Sequence, residues 1–117
     1  MHFSSPGDFD ILVDDDGTGY MIYSQNYYMS IEQLTPDFYY STGKSYMFPE
    51  YFVEAPVFLK RQNTYYALFG WCCCYCMQGS GVIVHTATNP MGPYTVQVSS
   101  RSLFDAFLLI LPTSRMA

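Results

Sequence analysis

Hydrophobic and polar residues follow the same pattern in two segments of the chain, residues 8–24 and 54–70. Each segment opens on a carboxylate, continues as a short apolar run, turns at polar residues and returns as an aromatic run. A shift of 46 positions superposes the two segments and sets Tyr20 on Tyr66. Apolar runs on either side of a polar turn predict β-hairpins. A hairpin that recurs after roughly 40 to 50 residues is typical of the blades of a β-propeller.

Turn residues divide the rest of the chain into further strands. Residues 14–17, Asp-Asp-Asp-Gly, predict a hairpin turn because glycine accepts positive φ. Residues 28–34 predict a third strand, followed by a Tyr-rich connection at 39–50. Residues 82–86 form another apolar run, and a Pro-Met-Gly-Pro turn leads into a last strand at 94–98. The expected fold is all-β, with about two blades of four antiparallel strands.

The C-terminal end of the chain does not repeat this pattern. A third copy would begin near residue 100, where no carboxylate opens a hairpin. The expected divisions are an N-terminal stub at 1–7, a first blade at 8–52, a second blade at 53–98 and an unassigned tail at 99–117.

Composition and charge exclude some classes of function. Half of the 117 residues are apolar, which suffices for one small domain with a core. The 12 Tyr and 9 Phe residues favour strands, since aromatic side chains suit a pleated, half-buried surface. With a net charge of -5 the chain has no basic patch to neutralise phosphates, so nucleic acid is not an expected partner.

Neither an export signal nor a membrane span is expected from this sequence. Residues 1–7 carry neither the basic region nor the apolar stretch of a signal peptide. The apolar run at 103–111 contains Asp105 and is half the length of about 20 residues that a spanning helix requires. No membrane partner is expected, and the localisation of the chain as given stays unknown.

The four cysteines stand close together, at Cys72, Cys73, Cys74 and Cys76. Structural zinc sites use spaced pairs separated by a longer loop, so thiolates this crowded fit one tetrahedral site poorly. Disulfides or buried free thiols are favoured over zinc. The aspartates at 14–16 similarly favour a solvated turn over calcium, because the alternating ligands of an EF-hand are missing. We expect no metal and no cofactor.

Several motifs occur together in this chain. The acidic strand at 8–13 runs into Asp-Asp-Asp-Gly, Glu54 is followed by Ala-Pro, residues 69–76 read Phe-Gly-Trp-Cys-Cys-Cys-Tyr-Cys, and residues 92–94 read Gly-Pro-Tyr. In this combination the chain resembles glycoside hydrolase family 43 over about residues 8–98. The resemblance implies a five-bladed β-propeller, of which this chain supplies a part.

The resemblance also implies an activity, the hydrolysis of O-glycosyl bonds with inversion in arabinose-, xylose- or galactose-containing polysaccharides. By motif position Glu54 resembles the general acid, and Asp8 resembles the aspartate that orients the acid and raises its pKa. The general base of the family lies in a preceding blade. Inversion needs an acid at the leaving oxygen and a carboxylate roughly 6.5 to 9.5 Å away to activate water. A neighbouring negative charge favours the protonated form of the acid.

Residues near these carboxylates have supporting roles. Asp10 shares a strand face with Asp8 and is the alternative for its role. Trp71, Gln78 and Ser80 are expected at the rim of the same site, where a ring can stack on a sugar and polar groups can bind hydroxyls. Core packing is the alternative for Trp71.

Four further titratable residues are expected to take no part in catalysis. Glu32 and Glu50 are expected to be solvated. His2 lies on the N-terminal stub and His85 lies in a strand, and neither stands at a motif position.

Three functional hypotheses follow. The first is an incomplete catalytic domain of a family 43 glycosidase, with a polysaccharide or oligosaccharide as substrate and an extracellular location implied by the resemblance. The second is a non-catalytic carbohydrate-binding or assembly unit. The third is a metal or redox module built on the cysteines. Open blade edges would also favour self-association.

Overall fold

A computed structural model describes residues 7–71 and 81–100, the last three for the backbone alone. These residues form eight β-strands in two antiparallel sheets of four, and no helix among them could cross a membrane. The expected all-β fold with about two four-stranded blades is confirmed. The cysteine cluster and the tail beyond residue 100 lie outside the described residues.

The first sheet has its strands in chain order, from β1 to β4. The strands are β1 Phe9–Val13, β2 Gly19–Gln25, β3 Tyr28–Leu34 and β4 Ser41–Tyr51. β4 occupies the segment expected to be a Tyr-rich connection. It is the outer edge strand and most of its side chains are exposed, so its apolar alternation is too weak to predict a strand.

The second sheet repeats this arrangement from β5 to β8. The strands are β5 Val53–Arg61, β6 Thr64–Trp71, β7 Val82–Ala87 and β8 Thr95–Ser100. β8 continues beyond Val98 because Ser100 still pairs with Val82, the first residue of β7.

The two hairpins repeat with one local difference. Tyr20 pairs with Leu12, and Tyr66 pairs with Leu59. The repeat is therefore 46 residues in the returning strands, whereas Leu12 and Leu59 of the opening strands are 47 apart. β5 gains this extra residue between Glu54 and Val57. Beyond that point, each residue of β5 faces the side opposite to the one expected from a constant offset of 46.

The hydrophobic core lies between the two sheets. Its largest fully buried members are Ile22, Met29, Ile31 and Phe48 from the first sheet and Val53, Phe69 and Ile83 from the second. The Phe48 ring lies 5.1 Å from that of Phe69 and 5.0 Å from that of Tyr94, centroid to centroid. Burial of these aromatic and aliphatic groups is the main apolar contribution to the packing of one sheet on the other.

A polar cluster joins the first hairpin turn to the second sheet. Lys60 Nζ lies 3.0 Å from Asp14 Oδ1 and 2.9 Å from Asp15 Oδ2, and the Tyr65 hydroxyl donates to Asp14 Oδ2. The Asp15 side chain is 90% exposed, but that of Asp14 is only 9% exposed. The expectation of a solvated turn is therefore wrong for Asp14, which the second sheet covers.

Two opposing effects act on the Asp14 carboxyl. Burial alone would raise the pKa of Asp14, but hydrogen bonds from Tyr65, from the Asp15 backbone and from Lys60 outweigh burial. The pKa of Asp14 in the folded chain consequently lies below its usual value of 3.8.

Removing the cation from this cluster should destabilise the packed sheets. Lys60→Met keeps a long apolar side chain but leaves the Asp14 carboxylate buried without its ion partner. We expect the Tm to fall by roughly 5 to 10 °C, measured by near-ultraviolet circular dichroism. The exposed Lys44 of β4 provides the matched control, Lys44→Met, which should leave the Tm unchanged.

The same experiment has an expected pH dependence. Because the folded-state pKa of Asp14 is lowered, its contribution to stability is present above the unfolded value of 3.8 and is lost as the pH falls through the folded value. The deficit of Lys60→Met should therefore shrink in acid. A deficit that is constant from neutral pH down to acid would contradict the role given to Asp14.

A second polar pair is buried between the sheets. Glu50 Oε1 of β4 lies 2.7 Å from His85 Nε2 of β7, and their side chains are 13% and 3% exposed. The His85 ring packs against Phe48 and Phe69, with centroid distances of 4.8 and 5.5 Å. The expectation of a solvated Glu50 is wrong, because the unexpected strand β4 directs it towards the second sheet.

Glu32 was also expected to be solvated and is instead buried in β3. The Ser41 hydroxyl donates to Glu32 Oε2 at 3.2 Å. The hydroxyl comes from β4, whose pairing with β3 covers the glutamate.

Removing one member of the Glu50–His85 pair should cost more than removing both. Glu50→Ala leaves the buried imidazole without its partner, at a cost of about 3 kcal/mol in the free energy of unfolding. The double variant Glu50→Leu/His85→Phe replaces both groups by apolar ones and should recover most of that loss. Urea unfolding measures both values, and a double variant less stable than Glu50→Ala would contradict the expectation.

Candidate active site

Asp8 and Glu54 occupy equivalent positions in the two sheets. The Asp8 carbonyl oxygen accepts a hydrogen bond from the Ser24 N–H at 3.0 Å, and Glu54 pairs with Gly70. The 46-residue repeat of the returning strands sets Ser24 on Gly70. Both carboxylates therefore stand where the first strand of a sheet begins. We call this end of the two sheets the carboxylate end.

Carboxylates of the first sheet hold β5 beside β1. Asp8 Oδ2 accepts a hydrogen bond from the Ala55 N–H at 3.2 Å, and Asp10 Oδ2 accepts one from the Phe58 N–H at 3.0 Å. The contacts follow the same order along both strands, so β1 and β5 run side by side in one direction. Asp8 consequently lies against the peptide group that directly follows Glu54.

A β-bulge sets the position of Glu54. Between the pairs formed by Glu54 and by Val57, β5 has two residues where β6 has one. Val53 and Phe58 are five positions apart and would face opposite sides of a regular strand, but the bulge lets both enter the core. Glu54 is half-buried where the alternation changes.

The bulge contains a strained residue. Ala55 has a φ of 57°, a left-handed conformation that costs an L-residue roughly 1 to 2 kcal/mol. Its N–H donates to Asp8, so the carboxylate helps to hold the strained peptide in place. Bulges and strained residues of this kind occur often beside active sites.

The other predicted residues separate into three groups. Trp71 ends β6 at the carboxylate end, opposite Val53, with 37% of its surface exposed. Asp10 is committed to backbone groups, since its other oxygen accepts from the Ile11 N–H at 2.9 Å. His85 lies in the core between the sheets. The predicted residues outside the described part of the chain are His2, Gln78, Ser80, Cys72, Cys73, Cys74 and Cys76.

Among residues 7–71 and 81–100, no group of three or more His, Cys, Asp or Glu side chains is arranged to hold a metal ion.

Four exposed aromatic residues at the carboxylate end were not predicted from the sequence as candidate site residues. They are Tyr27, Tyr28, Tyr51 and Phe52. They occur as two doublets at strand ends, and this signal was available in the sequence. In a regular strand one residue of each doublet would face the core, so only the backbone conformation shows that all four are exposed.

The described strands match solved glycoside hydrolases. A β-1,3-galactosidase of family 43, solved with galactodeoxynojirimycin, is 31% identical and matches 77% of this chain with a TM-score of 0.66. For an endo-1,4-β-xylanase from Bacteroides thetaiotaomicron the values are 24%, 79% and 0.69. For a family 43 arabinoxylan arabinofuranohydrolase from Bacillus subtilis, solved with cellotetraose, they are 23%, 85% and 0.66. No protein-family model and no curated protein matches the sequence.

These matches confirm the resemblance at the level of the fold. The two sheets have the fold of part of a family 43 glycoside hydrolase, a partial propeller. The chain spans 26%, 36% and 26% of the three proteins described above.

Amide hydrogen exchange tests whether the two β1 carboxylates hold β5 separately. Asp8→Ala should raise the exchange rate of the Ala55 amide by roughly tenfold while the Phe58 amide stays protected. Asp10→Ala should give the reverse result, so each variant is the control for the other. Faster exchange at both amides in both variants would instead indicate a general loosening of β5.

Proposed function

We propose that this chain is part of the catalytic domain of an inverting glycoside hydrolase, with Glu54 as the general acid and Asp8 as the residue that orients it. One observation carries the proposal. Asp8 Oδ2 accepts the N–H of Ala55, the residue after Glu54, at 3.2 Å, and the two acids open adjoining blades at equivalent positions. The family 43 fold supports the same assignment.

The proposed chemistry divides the work between these carboxylates and a third group. Glu54 donates a proton to the oxygen of the leaving sugar as the glycosidic bond breaks. A carboxylate on the opposite face of the sugar removes a proton from the attacking water, which gives inversion. We assign this general base to another blade of the propeller, outside the two sheets described above.

Asp8 is better suited than Asp10 to position the acid. The Asp8 carboxylate bonds to the strained peptide next to Glu54, so its removal would release the segment that carries the acid. Asp10 bonds to the Ile11 and Phe58 backbones and braces β5 further from the acid.

The proposed substrates are arabinose-, xylose- or galactose-containing polysaccharides. The names of the solved neighbours support this class, since they include a galactosidase, a xylanase and an arabinofuranohydrolase. Trp71 is partly exposed at the carboxylate end and is assigned a stacking role on a sugar ring. Gln78 and Ser80 keep their proposed role as hydroxyl-binding residues. We also propose an extracellular location for the full-length protein, as the resemblance to family 43 implies.

The isolated chain should bind a sugar mimic without hydrolysing sugars. Galactodeoxynojirimycin carries an amine that is protonated near neutral pH, so it should bind beside the carboxylates and shift the Ala55 and Gly70 amide signals in an NMR titration. Glu54→Ala removes every hydrogen bond that the acid can make, in either protonation state, and should weaken this binding by roughly tenfold. Asp16→Asn removes an exposed carboxylate at the opposite end of the first hairpin and should leave the affinity unchanged.

The outcomes separate the parts of the proposal. Turnover of a 4-nitrophenyl arabinofuranoside, xyloside or galactoside by the isolated chain would refute the assignment of the base to another blade. Binding that Glu54→Ala does not change would refute the role of Glu54. Sugar binding that survives Glu54→Ala but is lost in Trp71→Ala, without turnover, would favour a non-catalytic carbohydrate-binding unit.

A further inference from the structure

Four exposed aromatic side chains form a cluster at the carboxylate end. We call Tyr27, Tyr28, Tyr51 and Phe52 the aromatic rim. Neighbouring rings have centroids 5.0 to 6.2 Å apart, and each residue is between 38% and 54% exposed. At this spacing the rings contact one another but leave a large part of each ring exposed to solvent. The aromatic rim therefore presents a contiguous aromatic surface to solvent.

The backbone holds these rings in strained conformations. Gln25 pairs with Tyr28, so Asn26 and Tyr27 form a two-residue hairpin loop with φ values of 52° and 67°. Loops with two positive φ angles favour glycine at the second position, which Tyr27 occupies here. Phe52 also has a φ of 67°. A bulky residue in this region is disfavoured, and Tyr27 and Phe52 are nevertheless about half exposed, at 52% and 45%.

The aromatic rim is joined to the candidate acid through the backbone. The Val53 N–H donates to the Tyr27 carbonyl oxygen at 3.0 Å, which fixes the crossing from β4 to β5 against the β2–β3 turn. Phe52 stands two positions before Glu54 on that crossing. The aromatic rim and Glu54 therefore lie at the same end of the two sheets.

We propose that the aromatic rim is a binding subsite for the carbohydrate chain whose bond is cut at Glu54, an inference that rests on the proposed function. Aromatic faces stack on the apolar faces of sugar rings, and phenol groups exchange hydrogen bonds with sugar hydroxyls. The side chains of Tyr27, Tyr28 and Tyr51 are between 38% and 54% exposed, so a ligand in solvent can reach them. Four rings cover more surface than one sugar unit, so the ligand is a chain of sugars.

The chemistry of the aromatic rim favours a sugar over an apolar protein partner. Three of its four residues are tyrosines, and no aliphatic residue belongs to the cluster. Tyrosine combines an apolar face with a polar tip and loses little conformational entropy on binding, because few of its bonds rotate. The position of the aromatic rim gives a second argument, because the rim is continuous with the segment that carries Glu54. A sugar chain whose bond is cut at Glu54 extends beyond the acid and must pass over the neighbouring surface.

The test uses the full 117-residue chain and two soluble polysaccharides, arabinoxylan and arabinogalactan, in affinity gel electrophoresis. Tyr27→Gly removes a ring at a position where glycine is the favoured residue, so it should not lower the Tm. We expect Tyr27→Gly to weaken retention by about threefold to tenfold, and Tyr51→Ala to act in the same direction. Tyr39→Ala is the matched control, because Tyr39 is 81% exposed but lies at the opposite end of the sheet.

Each contrary outcome is distinct. Retention that falls in Trp71→Ala but not in Tyr27→Gly or Tyr51→Ala overturns the subsite and leaves the proposed function standing. Absent retention of the unchanged chain, with galactodeoxynojirimycin still bound at Glu54, also overturns the subsite alone. Absence of both kinds of binding overturns the proposed function as well. Self-association in sedimentation that Tyr27→Gly abolishes would assign the aromatic rim to a second copy of the chain instead.

Discussion

Hydrogen bonds from the backbone of β5 to the carboxylates of β1 are the interaction on which the rest of the arrangement depends. β5 is the edge strand of its sheet, so half of its N–H groups point away from β6 and need other partners. Asp8 and Asp10 supply them at Ala55 and Phe58. These bonds set one sheet against the other in a defined register. They also place the carboxylate of Asp8 beside the peptide that carries Glu54.

Apolar burial and polar pairing have different roles in the contact between the sheets. Burial of the rings around Phe48 removes apolar surface from water, which favours the packing of the two sheets. Because this effect has no direction, it does not by itself determine how the two sheets are aligned. The Asp14–Lys60 and Glu50–His85 pairs are directional, and each joins one sheet to the other at a different place. A displacement of the sheets would leave buried charge without a partner, which costs far more than the loss of a surface ion pair. The polar pairs therefore favour one packing over others of similar apolar area.

Backbone strain is concentrated at the carboxylate end. Ala55, Tyr27 and Phe52 are non-glycine residues with positive φ, and all three lie within one stretch of surface around Glu54. Phe38 and Gln62 also have positive φ at the opposite end, and the Phe38 ring lies over Gly19. Strained residues are a reason to look for function, and those of the carboxylate end lie beside the two carboxylates proposed for catalysis.

Sequence alone determined the two hairpins, the equivalence of Asp8 and Glu54 and the all-β class, because each is a local signal of alternation, turn chemistry or repeat. It did not determine β4, whose outer edge position leaves little apolar alternation, nor the burial of Glu32, Glu50 and Asp14, which depends on strands distant in the chain. The bulge at Ala55 was likewise absent from the pattern, since a change of one residue in repeat length becomes visible only when the strands pair. Tertiary structure decided which residues of each aromatic doublet face solvent, because the φ angles that turn Tyr27 and Phe52 outward are held by contacts between strands.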